Sequence, residues 1–222
     1  MTSHIPVKIE APLQPYVVKV GAEAIEIGES IGAMVADERV LDLHPAPVEN
    51  VPTLAIAGGE GAKTFASLER VLDFCSDAAL SRGSTLLAFG GGTVGDLTGL
   101  AASLYKRGIG VVQVPTTLLA QVDASVGGKT AINLQAGKNL AGTFHHPRSV
   151  HCDVRLLMTL RDEDFGSGLG EVLKTAVIGD FLSTIEADSN ALAARDYGAL
   201  ARTVAACVQT KARVVAEDPD CL

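Results

Sequence analysis

The chain has 222 residues, with 18 Lys and Arg against 26 Asp and Glu, giving a net charge of −8. A hydrophobic fraction of 47% supports a sizeable core and excludes a disordered chain, and the length suits one large domain or one and a half. The acidic balance argues against a nucleic-acid partner, and no apolar run approaches the ~18 residues of a membrane span.

In chain order, residues 5–20 hold two short apolar runs, PVKIE and YVVKV, broken by Pro12 and Pro15, which predicts two strands of a hairpin or sheet edge. IGAMVAD (31–37) predicts a buried strand ending at Asp37, and TLAIA (53–57) the next. Over 64–80, Phe65, Leu68, Leu72, Cys75 and Ala79 recur at helical spacing. A strand at 84–89, a glycine cluster, a helix over 97–106 and a strand at 109–114 follow. Apolar strands alternating with helices predict a parallel sheet covered on both faces, an α/β domain.

After about residue 154 the strand-like runs stop, and helices are expected over 161–179, 181–194 and 197–217. The expected organisation is an α/β domain over 1–154 and the beginning of an all-α domain over 155–222. The last helix places Leu200, Val204, Val208, Lys211 and Val215 on one face. Such a face needs partners, so the chain reads as a piece of a longer protein.

Gly90, Gly92 and Gly95 fit G-x-G-x-x-G between a strand and a helix, where bare backbone lets a pyrophosphate approach amides at the helix start. The acid usually found about 20 residues further on is absent, and a plain tight turn is the alternative. Val126-Gly127-Gly128-Lys129-Thr130 resembles a phosphate loop but has Asp123 where that motif needs glycine. Residues 115–146 are dense in polar groups, among them Thr116, Thr117, Gln121, Asp123, Lys129, Lys138 and Asn139. Lysines beside an aspartate suit a phosphorylated or carboxylated substrate, and a solvated glycine-rich loop is the alternative.

Glu171 and Lys174 share a helix face, as a surface ion pair or as site residues. Lys211 on an apolar face either snorkels to water or reaches into a site. His145, His146 and His151 lie near Asp153, and a polar loop explains them more simply than a metal site. The start MTSHIP lacks a secretory pattern, and the four widely spaced cysteines suit reduced thiols, so a cytoplasmic location is expected.

GGGTVGDLTGLAASLYKRG, VPTTLLAQVDASVGGKTAIN, GKNLAGTF and SGLGEVLK, with GGEGAKT before them, resemble the 3-dehydroquinate synthases, a family of sugar-phosphate cyclases. The resemblance implies a Rossmann-like domain followed by a helical one, usually as a homodimer. It implies NAD and a divalent metal, zinc or another such as cobalt. It also implies conversion of a phosphorylated sugar acid, 3-deoxy-arabino-heptulosonate 7-phosphate, to 3-dehydroquinate and phosphate.

Matched residue by residue, Asp37, Glu60, Lys63, Gly91, Gly92, Thr93, Asp96, Thr116, Thr117, Lys138 and Thr159 fall on cofactor contacts. Arg107, Asp123, Lys129, Asn139, Lys174 and Lys211 fall on the substrate side, and Glu171 on a metal ligand. The family's two histidine ligands lie in motifs that this sequence does not contain. Arg39 stands where the family usually has asparagine, and the stretch from Val40 to Thr53 is shorter than usual. Rival readings are another sugar-phosphate cyclase of the valiolone or aminodehydroquinate type, a polyol dehydrogenase, and a non-catalytic NAD-binding piece.

Overall fold

A computed structural model describes residues 5–9 by their backbone and residues 15–218 in full. Pro12, read above as part of the break between the first two strands, lies outside the described residues. The strands are β1 (Ile5–Ile9), β2 (Tyr16–Gly21), β3 (Ile31–Asp37), β4 (Thr53–Ile56), β5 (Thr85–Gly90), β6 (Gly110–Pro115), β7 (Lys129–Leu134), β8 (Gly137–Phe144) and β9 (Ser149–Asp153). The helices are α1 (Glu38–Leu43), α2 (Phe65–Asp77), α3 (Gly92–Leu104), α4 (Asp162–Ile178), α5 (Leu182–Ala187), α6 (Ser189–Ala193) and α7 (Tyr197–Glu217).

The main sheet has the order β1-β2-β9-β6-β5-β3-β4. All neighbours are parallel except β1, which runs antiparallel to β2 at the edge, as the first two apolar runs predict. Every residue of β5 is buried, because helices or loops cover both faces of a central parallel strand. On one face, Leu68, Val71 and Cys75 of α2 and Leu97, Leu100 and Ala101 of α3 pack on Ala33, Val35, Leu86, Ala88 and Val111. On the other, Met34, Ala36, Leu87, Phe89, Val112 and Val114 are covered by Val40 and Leu41 of α1 and by Val48 and Val51. A third cluster joins Val18, Val20, Val150 and Cys152 of the sheet to Phe165 and Val172 of α4 and Leu200, Val204 and Val208 of α7.

Several elements differ from the sequence reading. The helix expected over 97–106 begins at Gly92 and ends at Leu104, where Lys106 and Arg107 turn the chain at positive φ. Its early start is possible because Gly95 presses on the Gln113 side chain; a Cβ there would meet Oε1 at 2.9 Å. Residues 129–144 are a β7–β8 hairpin rather than a solvated loop. Residues 149–153 form β9, inserted between β2 and β6, although Ser149, His151 and Asp153 hide its strand character. The helix expected over 181–194 is two short ones that meet at Asp188. Among the described residues, no helix is long and apolar enough to cross a membrane.

Phe89 is fully buried at the centre of the sheet. Phe89→Ala should cost about 3–5 kcal/mol in urea denaturation, whereas Val177→Ser, on an exposed helix face, should stay within about 0.5 kcal/mol. The contrast checks which strand carries the core.

Candidate active site

The chain steps outward from β3 to β4 and returns across β3 to β5, so β3 and β5 are neighbours with connections on opposite faces. A crevice opens beyond the carboxyl ends of strands at such a switch point. Here it measures about 280 Å³ and is lined by Asp37, Arg39, His44, Gly58, Gly59, Gly91, Gly92, Thr93, Thr116, Thr117, Thr159, Arg161 and Asp164, among others.

Each part follows from local chain geometry. Asp37 ends β3 and caps α1, its Oδ1 accepting from the Arg39 amide at 3.0 Å. Gly58 follows β4 and must lack a side chain, because a Cβ would lie 2.0 Å from Asp37 Oδ2. Gly91 starts α3 with no side-chain cap, so the first amides of this helix face the crevice and can take an anionic oxygen. Thr116 follows β6 and donates its amide to the Gly90 carbonyl at 2.9 Å, which ties the two strand ends together. Across the mouth, His44 and Thr159 share a 2.6 Å hydrogen bond. Burial lowers the His44 pKa, so the ring is neutral near pH 7.

A second cavity of about 470 Å³ adjoins α3 and the β7–β8 hairpin and is lined by Asp96, Asp123, Lys129, Thr130, Asn139, Phe144 and Lys211, among others. Asp123 sits on a π-helical turn, Ala120–Ala124. Gln121 holds that turn from inside: its side-chain amide donates to Pro115 O at 3.1 Å and Asp153 O at 2.9 Å. Lys211 does reach inward from α7, donating to Asp123 O at 2.5 Å and Oδ1 at 2.6 Å.

A buried cation ties together residues on the wall of the second cavity. Lys63 is only 4% exposed and bonds Asp96 Oδ2 at 2.6 Å and the Asn139 side-chain oxygen. Asn133 extends the network, donating to Glu60 Oε1 at 2.7 Å and accepting from the Asn139 amide at 2.8 Å. Burial raises the Asp96 pKa, and the Lys63 ammonium counters that rise.

The sequence-derived residues therefore fall into groups. Asp37, Gly91, Gly92, Thr93, Thr116, Thr117 and Thr159 meet in the crevice, and Asp96, Asp123, Lys129, Asn139 and Lys211 in the second cavity. Glu60 and Lys63 join them through hydrogen bonds. Lys138 and Arg107 are exposed and line neither space. Glu171 and Lys174 pair at 2.5 Å on α4, and the Lys174 pKa is raised by Glu171 first and also by Asp123. His44, Arg161 and Asp164 had carried no signal in the sequence: they belong to no periodic pattern and only tertiary folding collects them.

For a metal, Glu171 offers one carboxylate, and no group of three His, Cys, Asp or Glu among the described residues could hold an ion. Two of the three clustered histidines are otherwise engaged, while the buried Nδ1 of His146 has no hydrogen-bond partner among the described residues. His145 contacts Ile109 O at 2.9 Å, and His151 contacts Ser149 Oγ at 3.0 Å and Ala24 O at 3.1 Å.

Comparison with known proteins decides the family. Residues 53–167, just over half the chain, match the family model described as 3-dehydroquinate synthase N-terminal. A 3-dehydroquinate synthase of Roseobacter denitrificans is 41% identical across 96% of this chain and 62% of its own length. The chain belongs to the 3-dehydroquinate synthase family. A Geobacter member is 44% identical across 89% of the chain and 55% of its own length. The chain thus spans about three-fifths of the length of these curated relatives. Among solved structures, a 2-epi-5-epi-valiolone synthase from Streptomyces hygroscopicus, with NAD+ and Zn2+ bound, aligns with TM-score 0.83 at 27% identity, over 96% of this chain and 64% of its own. A 2-deoxy-scyllo-inosose synthase aligns with TM-score 0.81 at 23% identity, over the same shares, and shares the fold.

Two outcomes test these electrostatics. Lys63→Met leaves the half-buried Asp96 without its cation and should cost about 2 kcal/mol in denaturant at pH 7, less in acid where Asp96 takes a proton. Burial lowers the His151 pKa from its ordinary 6.5. The unfolded chain therefore binds this proton first, and the stability held above pH 6.5 is lost as pH falls from there through the folded value. His151→Gln should flatten the pH dependence of the urea midpoint in that window.

Proposed function

We propose that this chain is the cofactor-binding part of an enzyme that cyclises 3-deoxy-arabino-heptulosonate 7-phosphate to 3-dehydroquinate with loss of phosphate, using NAD. The observation that carries the reading is the pairing of a bare helix start with Asp37 across the β3–β5 switch point. That arrangement suits a dinucleotide, and the curated relatives at 41% and 44% identity are named 3-dehydroquinate synthase. The valiolone-type reading has weaker support, at 27% identity.

In this proposal the amides at Gly91–Thr93 hold the pyrophosphate, Asp37 takes a ribose hydroxyl, and Thr116, Thr117 and Thr159 border the rest. When bound, NAD exchanges a hydride with a secondary alcohol, which acidifies the neighbouring C–H for elimination of phosphate. Lys129, on the wall of the second cavity, offers an ammonium to a substrate carboxylate or phosphate. Asn139 is held in place by Lys63 and presents its remaining donors to the substrate. Lys211, oriented by Asp123, holds a proton at Nζ beside the same space.

A divalent metal belongs to the proposal through Glu171. The described residues do not complete its coordination. The proposal also keeps the division near residue 154, a homodimer and a cytoplasmic location.

Calorimetric titration of the chain with NAD+ tests the core of this reading. Gly92→Leu puts a bulky group at the helix start, where even a Cβ would lie 3.2 Å from Ala124 Cβ, and affinity should fall about a hundredfold. Lys129→Ala should leave NAD+ affinity within about twofold, because its charge lies in the other cavity. Unchanged affinity in Gly92→Leu would remove the glycine turn from the cofactor site.

A further inference from the structure

Resting on the dinucleotide reading above, we propose that the crevice also accepts a dinucleotide carrying a 2′-phosphate, NADP, with Arg39 as the residue that recognises that phosphate. The end of β3 borders the crevice. A residue at the end of the strand beside the glycine-turn strand meets the adenosine ribose; a carboxylate there binds the 2′-hydroxyl, and a nearby arginine accommodates a 2′-phosphate. This chain has both, Asp37 and Arg39, on the wall of one crevice.

The state of the carboxylate matters, because a carboxylate turned to the ribose repels a phosphate. One Asp37 oxygen is engaged, and the carboxylate still lines the crevice. Its Oδ1 accepts from the Arg39 amide at 3.0 Å, and its Oδ2 is turned toward Gly58.

The other charged lining groups are already engaged. Arg161 pairs with Asp164 at 2.8 Å, which neutralises both, and the His44 ring is bonded to Thr159 at 2.6 Å. The Arg39 guanidinium is exposed, and among the described residues no hydrogen bond or ion pair holds it. A planar guanidinium suits a phosphate dianion, giving two parallel charge-assisted hydrogen bonds. Asp37 and Asp164 are the acids that oppose this on the crevice wall, and Arg161 offsets the second. Glu38, on the same short helix, is exposed and does not line the crevice.

The test is calorimetric titration of NAD+ and NADP+ into the chain and into Arg39→Asn. The substitution leaves the Asp37 cap intact, since that bond uses the Arg39 backbone, and an unchanged thermal midpoint verifies it. NADP+ should bind the unaltered chain within about tenfold of NAD+. In Arg39→Asn its affinity should drop about tenfold or more, while NAD+ stays within about threefold. The pair 2′-phospho-AMP and AMP should show the same split. NAD+ bound with NADP+ more than about a hundredfold weaker would overturn this inference and leave the cofactor site standing. Equal loss of both dinucleotides in Arg39→Asn would also overturn it, by assigning Arg39 to the adenine or to general charge. Binding of neither would defeat the dinucleotide reading and this inference with it.

Discussion

The adjacency of β3 and β5 is the constraint on which the site depends. Strand β5 delivers the glycine turn and β3 delivers Asp37, and only their pairing in the sheet places the two beside one crevice. The packing is tight enough that neighbours are restricted as well. A Cβ at Gly90 would meet Val94 Cγ2 at 2.7 Å and Asp37 Cβ at 3.2 Å, and Gly58 is pressed against the Asp37 carboxylate. Small residues here let the backbone approach neighbouring side chains closely.

The buried Lys63 is the second organising element. Isolated in the interior, an ammonium would be expensive; here Asp96 supplies charge and Asn139 a further acceptor. The consequence is mechanical as much as electrostatic. The loop after β4, the first turns of α3 and the start of β8 are bound to one nitrogen, which holds these three segments together. The π-helical turn at Ala120–Ala124 has a similar anchor in Gln121, which bonds the ends of β6 and β9 and so fixes where Asp123 points.

On the helical side, α4 and α7 bring Glu171, Lys174 and Lys211 toward Asp123 while leaving Leu173, Val177 and Ile178 exposed. The apolar face of α7 read from the sequence is real: Leu200, Val204, Val208 and Val215 are buried, and Lys211 leaves that face through its long stem to reach Asp123. The crevice gathers the glycine turn, Asp37 and the threonines, whereas Glu171 is paired with Lys174, and among the described residues no group of three His, Cys, Asp or Glu could hold a metal ion.

Local pattern alone determined the strands at 31–37, 84–89 and 109–114, helix α7 and the α/β class, because buried strands and amphipathic helices write their period into consecutive residues. It also marked the glycine turn. It did not reveal β9, whose alternate polar residues are satisfied internally, His151 by Ser149 and Ala24, Asp153 by Arg155. Nor could spacing reveal the acid beside the glycine turn, since the motif expects it after Gly95 while Asp37 lies more than fifty residues before it. Sheet order, not sequence distance, makes those two neighbours, and sheet order is set by which apolar faces can be buried together. Whether Lys211 faced solvent or a site was likewise undecidable from α7 alone. The answer came from Asp123, 88 residues away, because the cost of a cation on an apolar face depends on which groups the fold brings to meet it.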